Sequence, residues 1–140
     1  RFTCIVDQMK EDLGTVMNEM TDGIGPDKIY ECSGAIPALN RSFELIRKKG
    51  EVVQIGVFAK DINEVNVGIF FPKEIHYMGT RTQKPSAWRT SLQLMEEGLV
   101  HPEKVVTMIT DLDNWEEGFT KSKNAEEVKV VIQVADTDEK

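Results

Sequence analysis

Short apolar runs alternate along this chain with stretches whose apolar residues recur at helical spacing, and that alternation leaves little choice of fold. Runs of about four to eight such residues read as buried strands, and strands separated by amphipathic helices build a mainly parallel α/β sheet. Residues 2–6 read as the first strand. Leu13, Val16, Met17 and Met20 then share one helical face, with Glu11 and Asp12 at the positive end of the helix dipole and Gly23 placed to stop the helix. Residues 28–32 are the second strand, closed by Ser33-Gly34. Pro37 opens a helix with Leu39, Phe43 and Ile46 on one face; Arg47, Lys48 and Lys49 fall in its last turn, and Gly50 is its stop. The β-branched run 51–57 is the strongest strand, 65–71 is a weaker one, and Glu74 to Gly79 is a further one.

The second half is less regular. Pro85-Ser86-Ala87 starts a helix with Trp88, Leu92, Met95 and Leu99 as one stripe, and residues 105–110 read as a strand. Asp113-Asn114-Trp115-Glu116 has the form of a capping box, with Leu112 as its hydrophobic staple and Trp115 and Phe119 lining the helix it opens. Residues 128–134 read as a last strand, and the acidic tail 135–140 as disordered.

Charge and cysteine content narrow the function classes. With 24 acidic against 17 basic side chains, a net charge of -7, no basic face is expected for nucleic acid. No stretch approaches the ~20 consecutive apolar residues of a membrane span, so no membrane partner is expected either. Cys4 and Cys32 can form neither a disulfide framework nor a zinc ribbon and suit a reducing, cytoplasmic compartment. Neither a Gly-x-Gly-x-x-Gly run nor a phosphate loop is present. His76 stands alone in an apolar strand and His101 precedes Pro102; neither has a metal-ligand or nucleophile partner at useful spacing. The pairs Glu96-Glu97 and Glu116-Glu117 read as solvated helix faces. The chain offers no catalytic residue and no metal ligand.

Three strand ends remain. Ligands of parallel sheets sit at the carboxyl ends of the strands, where small residues let them approach the backbone. Glu31-Cys32-Ser33-Gly34, Ile55-Gly56-Val57 and Met78-Gly79-Thr80-Arg81 are such ends in succession, each with a glycine. Ordinary turn chemistry explains any one of them, and on pattern alone the succession of three fits a ligand edge and a run of plain turns equally well.

The order Thr21-Asp22-Gly23-Ile24-Gly25-Pro26-Asp27, then Ile29-Tyr30-Glu31-Cys32-Ser33-Gly34, then Gly50-Glu51-Val52-Val53-Gln54-Ile55-Gly56-Val57, resembles the medium-chain dehydrogenase/reductase family. Lys73-Glu74-Ile75-His76-Tyr77-Met78-Gly79-Thr80-Arg81 resembles it too, as does the ending from Trp115-Glu116-Glu117-Gly118-Phe119 to Val128-Lys129-Val130-Val131-Ile132. The likeness is greatest to the zinc-dependent alcohol and polyol branch, which includes sorbitol and threonine dehydrogenases, and runs from about Phe2 to Val134.

The resemblance implies a parent enzyme that moves hydride between a secondary alcohol and NAD or NADP, with a small alcohol or polyol as substrate and zinc polarising its oxygen. By the same resemblance, Cys32, Ser33 and Gly34 would flank the adenosine half of the cofactor. Ile55, Gly56 and Val57 would run beneath the nicotinamide, Thr80 and Arg81 would hold its carboxamide through main-chain groups, and Lys129 would reach the phosphates. The implied architecture is an incomplete Rossmann-like parallel sheet with flanking helices plus a carboxyl-terminal return segment. Residues 1–80 would be the carboxyl-terminal half of a dinucleotide-binding domain, 81–134 the segment returning to the catalytic domain, and 135–140 the tail. In the family's strand order 3-2-1-4-5-6 this chain would supply strands 3 to 6, leaving residues 2–6 without neighbours and strand 28–32 with an open edge. A homo-oligomer would pair through the strand from Glu74 to Gly79, with His76 at the interface.

The family's zinc ligands, glycine fingerprint and ribose-binding acid all lie upstream of Arg1. With its first residue not a methionine, the chain is expected to be the carboxyl-terminal part of a longer dehydrogenase, inactive by itself. Two alternatives stand beside this one. The chain could be a non-catalytic α/β module that binds a nucleotide or protein through the same strand ends, or part of a zinc-free reductase of the same superfamily.

Overall fold

The computed structural model describes residues 4–135 and has the expected α/β composition. The chain divides into two compact units, one ending at Thr82 and the other beginning at Gln83. The first contains α1 (Leu13–Met20), β1 (Lys28–Glu31), α2 (Ile36–Leu45), β2 (Glu51–Gln54), the short α3 (Phe70–Lys73) and β3 (His76–Gly79). Its three strands form one parallel sheet in the order β1-β2-β3, with Ile29 opposite Val52 and Val52 opposite Tyr77.

The core of this unit is small and specific. Leu39, Phe43 and Ile46 come from α2 and its cap and meet Val52 of the central strand, all four fully buried. Ile29, Phe58, Val65, Ile69, Phe70 and Ile75 pack around them. The Phe43 ring stands edge-on to Phe70 at 4.7 Å and to Tyr77 at 5.3 Å between centroids, the geometry that aromatic quadrupoles favour.

Helix α1 starts as its acids suggest, with Asp12 as the cap: the Asp12 carboxylate accepts the Thr15 N–H at 2.8 Å. It ends at Met20, and the turn beyond it is left-handed at Asp22 (φ +51°) and at the expected Gly23 (φ +75°), whose N–H closes on the Asn18 carbonyl at 2.8 Å.

Four expectations give way. Residues 4–6 belong to no strand, while residues 2–3 lie outside the described residues. A strand needs a neighbour's ladder, and none of the described strands offers one to this segment. The weak strand expected at 65–71 is instead a 3-10 turn (Val67–Ile69) running into α3. Val65, Ile69 and Phe70 turn inward while Val67 and Phe71 face solvent, so the apolar period is helical; Gly68 and Pro72 had already weakened the strand.

Gly50 does not stop α2, which ends at Leu45 with Arg47, Lys48 and Lys49 beyond it. The terminator is Lys73, whose ammonium donates to the carbonyls of Phe43, Glu44 and Ile46 at 3.2, 2.5 and 2.8 Å. Gly50 is small for another reason: a β-carbon there would come within 2.9 Å of the Arg47 carbonyl oxygen.

In the second unit, α4 (Pro85–Glu96) precedes a 3-10 turn (Pro102–Val105) and a β–α–β unit made of β4 (Met108–Asp111), α5 (Trp115–Lys123) and β5 (Val130–Gln133). The two strands are parallel, Met108 opposite Val130. Gly118 lets α5 sit close on them, because a β-carbon there would lie 2.9 Å from Val130 Cγ1. The capping box does not form. Asp111 accepts the Asp113 and Asn114 N–H groups at 3.1 and 2.9 Å, so the turn into α5 is fixed from the strand end. The expected stripe of Trp88, Leu92 and Met95 on α4, with Leu99 beyond the end of the helix, remains 40% to 67% exposed. The tail expected to be disordered lies, from residue 136 on, outside the described residues.

Candidate functional site

The strand period places a charge where an apolar residue would be ordinary. Ile29 and Glu31 share one face of β1, and Glu31, the last strand residue, is 4% exposed. Its carboxylate is satisfied from several sides. Ser33 donates its N–H at 2.7 Å and also its hydroxyl, Gly34 donates its N–H at 3.0 Å, and Gln54 donates its side-chain amide. Burial alone would push the Glu31 carboxyl up; the bonds from Ser33, Gln54 and Gly34 outweigh it and hold the group below its ordinary value.

Gln54, itself buried at the end of β2, passes the connection on. Its amide nitrogen also donates to the Gly56 carbonyl at 2.8 Å, and its oxygen accepts the Tyr77 hydroxyl of β3 at 3.2 Å. Burial and the Glu31 charge both push the Tyr77 phenol up.

The backbone brings the same loops together. Ile55 and Gly56 both donate to the Glu31 carbonyl, at 2.8 and 2.9 Å, and Thr80 donates its N–H and its hydroxyl to the Gln54 carbonyl, each at 3.0 Å. Gly34 and Gly56 face one another across the first two strand ends. A β-carbon on Gly56 would overlap the Gly34 nitrogen and stand 2.8 Å from the Cys32 carbonyl carbon. One on Gly34, which has φ +69°, would stand 2.7 Å from the Val57 carbonyl carbon. These glycines are required for backbone to meet backbone.

Cys32, Ser33, Gly34, Ile55, Gly56, Val57 and Thr80 are thus gathered on one edge of the three-stranded sheet, and Arg81 follows directly. Among the described residues, the N–H groups of Val57 and Arg81 have no acceptor and face no strand partner. Lys129 belongs to the second unit, exposed just before β5, where its carbonyl accepts the Thr107 N–H at 3.0 Å. Sequence reasoning passed over Glu31, Gln54 and Tyr77 as site residues. The available signal was parity: a period of two from Ile29 directs Glu31 inward.

The Glu31 shift has a consequence for acid stability. Its folded-state value lies below the ordinary 4.5, so the unfolded chain binds the proton more readily. Its stabilising contribution is therefore complete above that pH and is lost as pH falls through the depressed value. Acid unfolding followed by circular dichroism should be less steep in Glu31→Gln; the same pH dependence in both proteins would refute this.

The profile of the family described as zinc-binding dehydrogenase matches residues 2–97. The chain belongs to the zinc-binding dehydrogenase family. It is 42% identical over 129 residues to a D-arabitol-phosphate dehydrogenase from Enterococcus avium, covering 92% of this chain and 37% of that protein. It is 35% identical to a sorbitol dehydrogenase from Halalkalibacterium halodurans, covering 94% and 38%. A 2R,3R-butanediol dehydrogenase from Bacillus subtilis superposes with a TM-score of 0.78 at 28% identity, over 94% of this chain and 38% of that one. An alcohol dehydrogenase from Thermus sp. ATN1 shares the fold, with a TM-score of 0.84 at 21% identity over 95% and 39%.

The chain therefore spans little more than a third of the length of these dehydrogenases. Family membership implies zinc and a nicotinamide cofactor, and the two fit these residues differently. Among the described residues no group of three or more His, Cys, Asp or Glu could hold a metal ion, so no step through zinc is derived from them. A nicotinamide fits better: a glycine-lined edge with unengaged N–H donors suits a carboxamide or a phosphate. No helix among the described residues is long and apolar enough to cross a membrane.

Proposed function

We propose that this chain supplies part of the cofactor domain of a zinc-type, NAD- or NADP-dependent alcohol or polyol dehydrogenase and, from residue 81 to 134, the segment returning to its catalytic domain. The observation that carries this reading is the convergence of three strand ends on one sheet edge, where the Val57 and Arg81 N–H groups stay unengaged. The cofactor, when bound, supplies the hydride acceptor for a secondary alcohol or the donor for its ketone. The residues here bind and orient. Cys32, Ser33 and Gly34 flank the adenosine half, and Ile55, Gly56 and Val57 form the floor under the nicotinamide. Thr80 and Arg81 hold the carboxamide; for Lys129 only the family resemblance supports a role at the phosphates. The substrate is taken to be a small polyol, in keeping with the arabitol-phosphate and sorbitol enzymes among its relatives.

The edges of the sheet suit a larger assembly. β1 pairs only with β2 among the described strands, and its open side adjoins a groove of about 670 Å³ lined by Leu13, Met17, Ile29 and Leu45. Upstream strands of the same polypeptide would complete the sheet there. β3 is the other edge, exposed along its whole length, and would pair with a second copy of itself. Two exposed free thiols, Cys4 and Cys32, agree with a cytoplasmic site of action.

Titration of the intact polypeptide with NADH and NADPH, read by nicotinamide fluorescence, should give a roughly micromolar dissociation constant for one of them. The 140-residue chain alone, without a glycine fingerprint, should bind far more weakly. Absence of binding to either cofactor by the intact polypeptide would overturn the reading. Sedimentation velocity should find a dimer that Met78→Lys, a charge on the β3 edge, converts to monomer; an unaltered sedimentation coefficient removes β3 as the interface.

A further inference from the structure

We propose that Glu31 is a positioning residue for the cofactor edge: its carboxylate, acting through Gln54, sets the shape of the loops at residues 32–34 and 55–57 and ties both to Tyr77 on the third strand. The inference rests on the cofactor reading above for its functional consequence and on the hydrogen bonds alone for its structural half.

The backbone ladder does not need this side chain. Main-chain bonds from Ile55 and Gly56 to the Glu31 carbonyl already join β1 to the loop after β2. The carboxylate serves different groups. It accepts from the Ser33 and Gly34 N–H groups, from the Ser33 hydroxyl and from the Gln54 amide, so it folds residues 32–34 back over the end of their own strand. It also orients Gln54. The Gln54 nitrogen faces two groups that can only accept, the Glu31 carboxylate and the Gly56 carbonyl, while its oxygen faces the Tyr77 hydroxyl. A flipped amide would set oxygen against oxygen twice. One buried charge thereby selects one orientation of Gln54, and that orientation holds the Gly56 carbonyl. Ser33, Gly34 and Gly56, which these bonds hold, are among the residues that the proposed function assigns to the cofactor.

The test compares the intact wild-type polypeptide with Glu31→Gln, Gln54→Glu and the double swap. Glu31→Gln is isosteric but presents an N–H to donors, and Gln54→Glu alone sets two carboxylates together. In the swap, the amide introduced by Glu31→Gln donates to the carboxylate introduced by Gln54→Glu, which can still accept from Tyr77 but has no proton for the Gly56 carbonyl. Glu31→Gln should weaken NADH or NADPH binding by about tenfold, as expected for a lost charge-assisted hydrogen bond. Amide exchange should accelerate at the bonded N–H groups of the two loops, Ser33 and Gly34 in 32–34 and Ile55 and Gly56 in 55–57, and not in α2 or the strands. The double swap should recover protection at 32–34 and leave 55–57 fast, which a general loss of stability would not produce. If Glu31→Gln does not fold, Ser33→Ala, which removes one donor, should accelerate exchange at 32–34 alone.

Unchanged loop exchange in Glu31→Gln overturns the proposal. So does acceleration spread evenly through the sheet with no recovery in the swap, since that marks an ordinary core residue. A wild-type protein that binds neither NADH nor NADPH overturns the cofactor reading instead, and loop exchange then decides what Glu31 holds.

Discussion

Gly56→Ala should abolish detectable nicotinamide binding and lower stability by about 3 kcal/mol, the upper range for forcing atoms into packed space. The added β-carbon meets only main chain: it overlaps the Gly34 nitrogen and stands 2.8 Å from the Cys32 carbonyl carbon. No side-chain rotation relieves that contact, so the first two strand ends must separate. Gly34→Ala should behave similarly, with the added strain of φ +69° on a residue that has a β-carbon. Urea denaturation and NADH titration of the same samples measure both effects. An alanine at position 56 with wild-type stability and affinity would show that the two loops need not touch.

Phe43→Ala should be the most destabilising substitution in the core of the first unit, by about 3–5 kcal/mol. Phe43 is completely buried and joins α2 to α3 through Phe70 and to β3 through Tyr77. Its removal leaves a cavity bounded by three elements, none of which can collapse into it without losing contacts elsewhere. Phe43→Leu, which refills part of the volume, should recover a good share of the loss. The midpoint of thermal unfolding reads both, and equal midpoints for alanine and phenylalanine would mean that this core does not hold the unit together.

The order of elements was legible because it depends on apolar period and turn residues, which are local. The β2 run, the Asp12 and Gly23 limits of α1 and the glycine at each strand end all came from such signals. The expected strand at 65–71 and the expected stop at Gly50 failed for one reason: each feature is decided by a distant partner. Residues 65–71 look like a strand until Phe70 is seen against Phe43, and Gly50 looks like the stop of α2 until Lys73 is seen on the last carbonyls of that helix. The site divides in the same way. Its small residues could be read from the chain, whereas the Glu31–Gln54–Tyr77 connection spans three strands and emerges only when the register is known.

The ammonium that closes α2 arrives from far along the chain. Lys73 lies 27 to 30 residues beyond the carbonyls it serves. During synthesis, the last turn of α2 therefore stays open until all of β2 and the turn into α3 have emerged. Contacts closed over longer stretches of chain form later in folding. The helix should thus begin early from its proline end and finish late, together with the sheet. Pulse-labelled exchange should find the amides of residues 39–42 protected before Lys73 docks, and Lys73→Met should slow only the later phase.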